Sequence, residues 1–231
     1  MTQTPRKSMT EQVWFGMLLT VVGGMMDAYS FLVRGGVFAT GQTGNFVILA
    51  ISLVTGDHAR AGRALVPVAG FWIGIFASRH ILHLLQTRGG RTERADRHRA
   101  WKRNILIAEA LFLLIVGLIP DSMLDVLPNS LISFAAALQF CSFRHFDGSS
   151  AFASVFVTGN MRSTAEKYYE GLVLRDRASL KKALEYTGIL AAFFAGAILT
   201  VFLVPHLGTR TLWPGAVLLL LLAAVISRPG R

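Results

Sequence analysis

Two sets of polar side chains sit inside otherwise apolar stretches, and they are the residues of this chain that could do chemistry. The first set is Asp27, Tyr29, Ser30, Thr40, Gln42, Thr43, Gly44 and Asn45. The second is Gln139, Ser142, Arg144, Thr158, Gly159, Asn160, Arg162 and Ser163. Ionisable and amide groups are costly within a bilayer and gather at bundle interiors or wet cavities. Each set carries a Thr-Gly-Asn triplet. Glycine lets the backbone leave the helical ladder, and Thr and Asn supply neutral donors and acceptors beside that break. A broken helix that turns its amides toward a polar solute is a recurring transporter device. The competing account is packing: Gly and Thr admit close helix contact, and Asn bonds to a neighbouring helix.

Single residues divide the same way. Asp27 is either a proton- or cation-coupling carboxylate or an interfacial residue near a helix end, seven residues before Arg34. Arg162 either pairs with Asp27 or an anionic substrate, or snorkels to the headgroups. Glu109, Glu185 and Tyr186 read as interfacial. No HExxH, GxSxG, GxxxxGK[ST], CxxC or GxGxxG occurs. The six histidines have no zinc spacing, and Cys141 is the single cysteine. The expectation is therefore no enzyme, no catalytic residue, no metal and no cofactor.

These side chains must be positioned by apolar helices. Of the 231 residues 53% are hydrophobic and 16% charged, where a soluble domain has roughly 25% charged. The apolar residues fall in eight blocks close to a bilayer span: 13–32, 35–54, 64–85, 105–119, 126–143, 151–165, 183–204 and 211–226. The block after Arg6 and Lys7 is longer than a signal-peptide core and reads as a retained first helix.

The blocks repeat in order. Asp27–Phe31 matches Gln139–Phe143, and FATGQTGN after Gly36 matches FASVFVTGN after Gly148. Small residues Gly70, Gly74 and Ser78 match Gly188, Ala192 and Gly196; they join either the two copies or two protomers. The expected organisation is a tail at 1–10 and repeats at 11–120 and 126–228, forming one compact all-α membrane bundle.

Charge bears on topology. Seven Lys/Arg against two acids lie between Arg88 and Arg103, in a connection that reads as a cytoplasmic loop. If all eight blocks cross, this loop and the basic 167–182 loop fall on opposite sides. If blocks two and six re-enter, both loops and both termini (Arg6, Lys7, Arg228, Arg231) lie inside, and Asp121 and Asp125 lie outside. Three spans per copy would then invert the repeats. Crossing remains the alternative, since 35–54 is apolar enough.

The stretches GGMMDAYSFLVRGGVFATGQTGNFVILA, LISFAAALQFCSFRHF and FVTGNMRSTAEKYYEGL resemble the YoaK-type family of uncharacterised bacterial multi-pass membrane proteins, a domain of unknown function. The resemblance runs from about Trp14 to Ala224 and implies an inner-membrane protein of about six spans. It implies no activity and carries over no site residue.

The expected function is a secondary transporter or pore for a small polar solute at the paired TGN breaks, in a cytoplasmic (inner) membrane. The alternative is a scaffold or partner subunit whose polar residues serve packing. Anionic lipid headgroups at 88–103 account for the net charge of +10 without nucleic acid. A homo-oligomer is a further expected partner.

Overall fold

The computed structural model describes residues 10, 12–87, 91–121, 125–143, 145–146, 150–151, 155 and 157–227. Arg6, Lys7, Arg88, Arg144, Gly148, Arg228 and Arg231 lie outside them. The chain is helical almost throughout: α1 (Val13–Val33), α2 (Gln42–Thr55), α3 (His58–Thr87), α4 (Arg91–Leu118), α5 (Val126–Ser142), α6 (Val157–Leu172), α7 (Arg177–Leu207) and α8 (Trp213–Ser227). A 3-10 turn, Gly208–Leu212, joins α7 to α8. A two-residue antiparallel pairing, β1 (His145–Phe146) with β2 (Ser150–Ala151), precedes α6.

Among the described residues, three stretches are long and apolar enough to cross a membrane: α1, α3 through Leu85, and the run from Arg177 to Ser227. Large apolar side chains cover the outside: Val54 is 89% exposed, Phe76 71% and Phe202 70%. Water would penalise so much open hydrocarbon, whereas acyl chains would not. Helix association then depends on close packing, and the glycines supply it. A Cβ on Gly24 would lie 2.0 Å from the Phe193 carbonyl oxygen, and one on Gly196 2.0 Å from that of Val21. These two glycines bring α1 and α7 into backbone contact. Gly70 and Gly74 do the same for α3 against Ser130 and Phe134 of α5. The small-residue spacings therefore serve contacts within the chain, between its first and second halves.

Packing fixes the helix directions. α1 and α7 run the same way: Met17 meets Gly188, Val21 meets Gly196, and Tyr29 reaches Thr209. α1 and α5 run opposite ways, with Phe15 beside Phe143 at 5.9 Å and Asn129 donating to the Arg34 carbonyl at 2.9 Å. α8 returns along α4, from Trp213 at Leu114 to Ile226 near Arg103. One end of the bundle thus gathers Arg34, Arg63, Asp121 and Asp125. The other gathers Thr10, Lys102 and Phe143, where Lys102 donates to the Thr10 hydroxyl at 3.0 Å.

Three expectations need correction. Residues 91–103 are no loop; they form the first half of α4, because Arg, Glu, Ala and Lys are good helix formers. The second block is helical only from Gln42, since Gly35 and Gly36 take φ of +83° and +72° and end the chain's helical course. The sixth block is displaced: its helix begins at Val157, just before Thr158, and runs on through polar residues to Leu172.

Candidate functional site

α1 ends at Val33, and the segment 34–41 turns back along it. Thr40 comes to rest beside Asp27, six residues or roughly 9 Å below the end of α1. The Asp27 carboxylate accepts from the Thr40 N–H at 2.7 Å, the Thr40 hydroxyl at 2.6 Å and the Gly41 N–H at 3.4 Å. Among the described residues no cation pairs with it. The Thr40 hydroxyl also lies 3.0 Å from the Val155 carbonyl oxygen. Thr40 and Val155 each precede the asparagine of their triplet by five residues. The segments leading into α2 and α6 therefore touch at matching positions.

Both triplets open a helix instead of breaking one. Asn45, fully buried, holds the approach to α2. Its Oδ1 accepts from the Phe38 N–H at 2.9 Å, and its Nδ2 donates to the Phe38 carbonyl at 2.7 Å and to Gln42 Oε1 at 2.9 Å. Gln42 Nε2 in turn donates to the Ala39 carbonyl at 2.9 Å, which also accepts from the Ser133 hydroxyl of α5 at 2.8 Å. Gly44 lies under the Phe38 ring, where a Cβ would come within 2.8 Å of Cδ2. That ring stacks on Phe31 at 5.2 Å. Thr43 is exposed.

The second set is arranged differently. Asn160 is buried, but Thr158 and Gly159 are exposed, and a Cβ on Gly159 would meet nothing within 4 Å among the described residues. Gln139 is fully buried on α5 and reaches the Leu19 carbonyl at 3.5 Å. The buried Ser142 hydroxyl has no hydrogen-bond partner among the described residues. Arg162 points outward and pairs with Glu166 at 2.7 Å, one turn on; it does not reach Asp27.

Two other members of the first set leave the site. Ser30 donates to its own helix at the Met26 carbonyl, 2.7 Å away. Tyr29, on the far face of α1, donates to the Thr209 carbonyl at 2.9 Å and accepts from Arg34 Nε at 3.0 Å.

Sequence reasoning missed the weight of two residues. Arg34 is fully buried, and its NH1 and NH2 groups donate to the carbonyls of Val116, Ile119 and Pro120 at the end of α4. Asp121 and Asp125 stand 4.0 Å from it. The usable signal was an arginine next to the Gly35-Gly36 turn, which must find carbonyl or carboxylate partners if drawn in. Glu109, which reads as interfacial from the sequence, is likewise fully buried.

Residues 15–225 match the model of a family described as "Protein of unknown function (DUF1275)", and the chain belongs to that family. No curated protein and no solved structure matches it.

Proposed function

We propose that this member of the DUF1275 family is a proton-coupled membrane carrier for a small polar solute, built as two inverted repeats of three spans and one half-crossing helix. The helix pairings support the repeat. Exchanging α1 with α5, α2 with α6, α3 with α7 and α4 with α8 turns the α1–α7 contact into α5–α3 and the α2–α3 contact into α6–α7, and leaves α4–α8 in place. The opposed directions of α1 and α5 support inversion. α2 begins at the depth of Asp27 and hands over to α3 near Arg63, beside the end of α1. It is about 21 Å long at 14 residues, against a hydrocarbon layer of roughly 30 Å. That geometry favours re-entry over crossing.

One observation carries the coupling: the Thr40 hydroxyl has one proton and two acceptors, Asp27 Oδ2 and the Val155 carbonyl. With Asp27 ionised, the proton serves the carboxylate. With Asp27 protonated, the acid donates to Thr40, and the hydroxyl turns to Val155 and ties the two half-helix approaches together. A proton on α1 thereby changes how the two repeats are joined at the place where a solute would pass. An unpaired intramembrane carboxylate is by default a functional group.

A second reading, a non-transporting partner subunit, is favoured by the hydrogen bonds that Asn45, Gln42 and Tyr29 satisfy within the chain. Proteoliposome uptake of glycerol, urea and acetate, with and without an inward proton gradient, separates the two. The carrier reading expects gradient-driven uptake of at least one probe, lost in Asp27→Asn and Thr40→Val and retained in Thr40→Ser. A wild type that passes none of them, or an Asp27→Asn protein that keeps gradient-driven uptake, overturns it.

A further inference from the structure

At the Lys102 end, the helical arm of α4 faces the last turn of α8 across a cleft of about 130 Å³ lined by Asp96, Arg99, Ala100, Arg103, Ile226 and Ser227. Arg99 and Arg103 lie one helical turn apart and so present their guanidinium groups on one face. Arg103 is steadied by two hydrogen bonds to Asn104 Oδ1, at 3.1 and 2.9 Å.

The level of this cleft is set by its surroundings. Lys102 stands over the Phe143 ring at 5.8 Å, and exposed Trp14 opens α1 at the same end. Amphipathic aromatic and cationic side chains at such a boundary mark where headgroups meet hydrocarbon. From the cleft, an exposed stripe climbs α8 at helical spacing: Ser227, Ala224, Leu220 with Leu221, then Val217. The cleft is basic and the stripe leading from it is apolar.

The geometry points to a bound anionic phospholipid, phosphatidylglycerol in chemical class, with its phosphate on Arg99 and Arg103 and an acyl chain along the α8 stripe. Arg prefers phosphate because its planar fork donates two parallel N–H bonds. Asp96, a carboxylate in an otherwise basic cleft, accepts from a hydroxyl of the glycerol headgroup. The occupant is a lipid rather than a soluble phosphate because the stripe is useful only to an acyl chain. This site is independent of the transport reading, since it lies at the other end of α4 from Arg34 and needs no solute.

Purified protein in neutral detergent, titrated with phosphatidylglycerol, phosphatidylethanolamine or inorganic phosphate, tests it by thermal melting, with retained lipid counted by native mass spectrometry. Phosphatidylglycerol is expected to raise the melting temperature and remain bound. Arg99→Gln with Arg103→Gln should weaken that binding by roughly thirtyfold, two basic contacts at a bilayer surface being removed. The melting point of the lipid-free variant should be unchanged, because both side chains are outside the core. Should the double variant not fold, Arg99→Gln alone is expected to lower the retained lipid. Equal stabilisation by inorganic phosphate or phosphatidylethanolamine overturns the proposal, as does lipid retention that ignores both arginines.

Discussion

Arg34 donates its Nε–H to the Tyr29 hydroxyl at 3.0 Å, and that hydroxyl donates onward to the Thr209 carbonyl at 2.9 Å. With the carbonyls of Val116, Ile119 and Pro120 on its other nitrogens, one buried side chain ties the ends of α1 and α4 to the turn before α8. Helix ends leave carbonyls without partners, and here an arginine from another helix satisfies them.

Arg34→Gln should therefore unfold more readily than any exposed arginine variant, at about 1–3 kcal/mol for each buried carbonyl left without a donor. Arg34→Lys should recover little, because an ammonium cannot fork to carbonyls on two sides. Thermal melting in detergent reads both. A lysine variant as stable as the wild type contradicts the capping role.

The two triplet glycines should respond in opposite directions. Gly44→Ala drives a methyl into the Phe38 ring, whereas Gly159→Ala meets no atom within 4 Å among the described residues. The first is expected to lower the melting temperature. The second should raise it slightly, since alanine is better in a helix by up to about 1 kcal/mol. Equal losses at both positions would mean that Gly159 has a contact this packing does not contain.

That asymmetry shows what could be read from the sequence. The match of QTGN to VTGN was visible as spacing, and apolar block length gave the helices. Whether a Gly marks a break, a helix start or a packing gap depends on which side chain lies over it. Phe38 covers Gly44 from six residues upstream, and no periodicity announces that. Asn45 was legible as an amide that needs partners, but its partners are in its own approach loop, so the structural account suffices for it. The place of Asp27, seven residues before Arg34, fitted an interfacial residue near a helix end as well as a coupling carboxylate. Asp27, six residues before the end of α1, meets Thr40, because the Gly35-Gly36 turn sends the chain back to it. Arg34, at the helix end, instead joins Tyr29 and the carbonyls at the end of α4. The small residues of α3 and α7 were recognisable as a packing face, while their partners required knowing that α1 and α5 lie against them.

Gly196→Ala tests the closest of those crossings. Its methyl would sit 2.0 Å from the Val21 carbonyl oxygen, so α1 and α7 must separate. Overpacking of this kind costs about 1–3 kcal/mol. Gly62→Ala, whose methyl meets nothing within 4 Å among the described residues, is the matched control and should be neutral or better. Melting temperatures that rank the two the other way refute the crossing.

The turn between α6 and α7 should carry an acid-sensitive contribution to stability. Lys167 and then the Ser179 hydroxyl hold Glu170 below the usual carboxylate range, and Ser179 with the Ala178 N–H holds Asp176 below it. Both folded-state values are depressed. The contribution is thus present above the unfolded carboxylate values, near about 4, and fades as pH falls through the depressed ones. Ser179→Ala should lower the melting temperature at pH 7, and that penalty should shrink as pH falls below about 4. A penalty independent of pH excludes this source.

Topology can be checked without knowing the solute. Single cysteines placed at Asp57, Asp121, Arg99 and Asp176 in a Cys141→Ala background report which side of the membrane each position faces. Arg34 draws Asp121 to the end of α1, and Gly35 lies against Arg63 near the start of α3. Positions 57 and 121 should therefore react with a membrane-impermeant maleimide from one side. Positions 99 and 176 should react from the other, since α4 runs the full bundle between Arg99 and Asp121 and α7 runs it between Asp176 and Thr209. If α2 crossed the bilayer, Asp57 would label with Arg99 and Asp176 instead. Labelling of 57 and 121 from opposite faces would end the half-crossing account of α2, and with it the pairing of two inverted approaches at Thr40 and Val155.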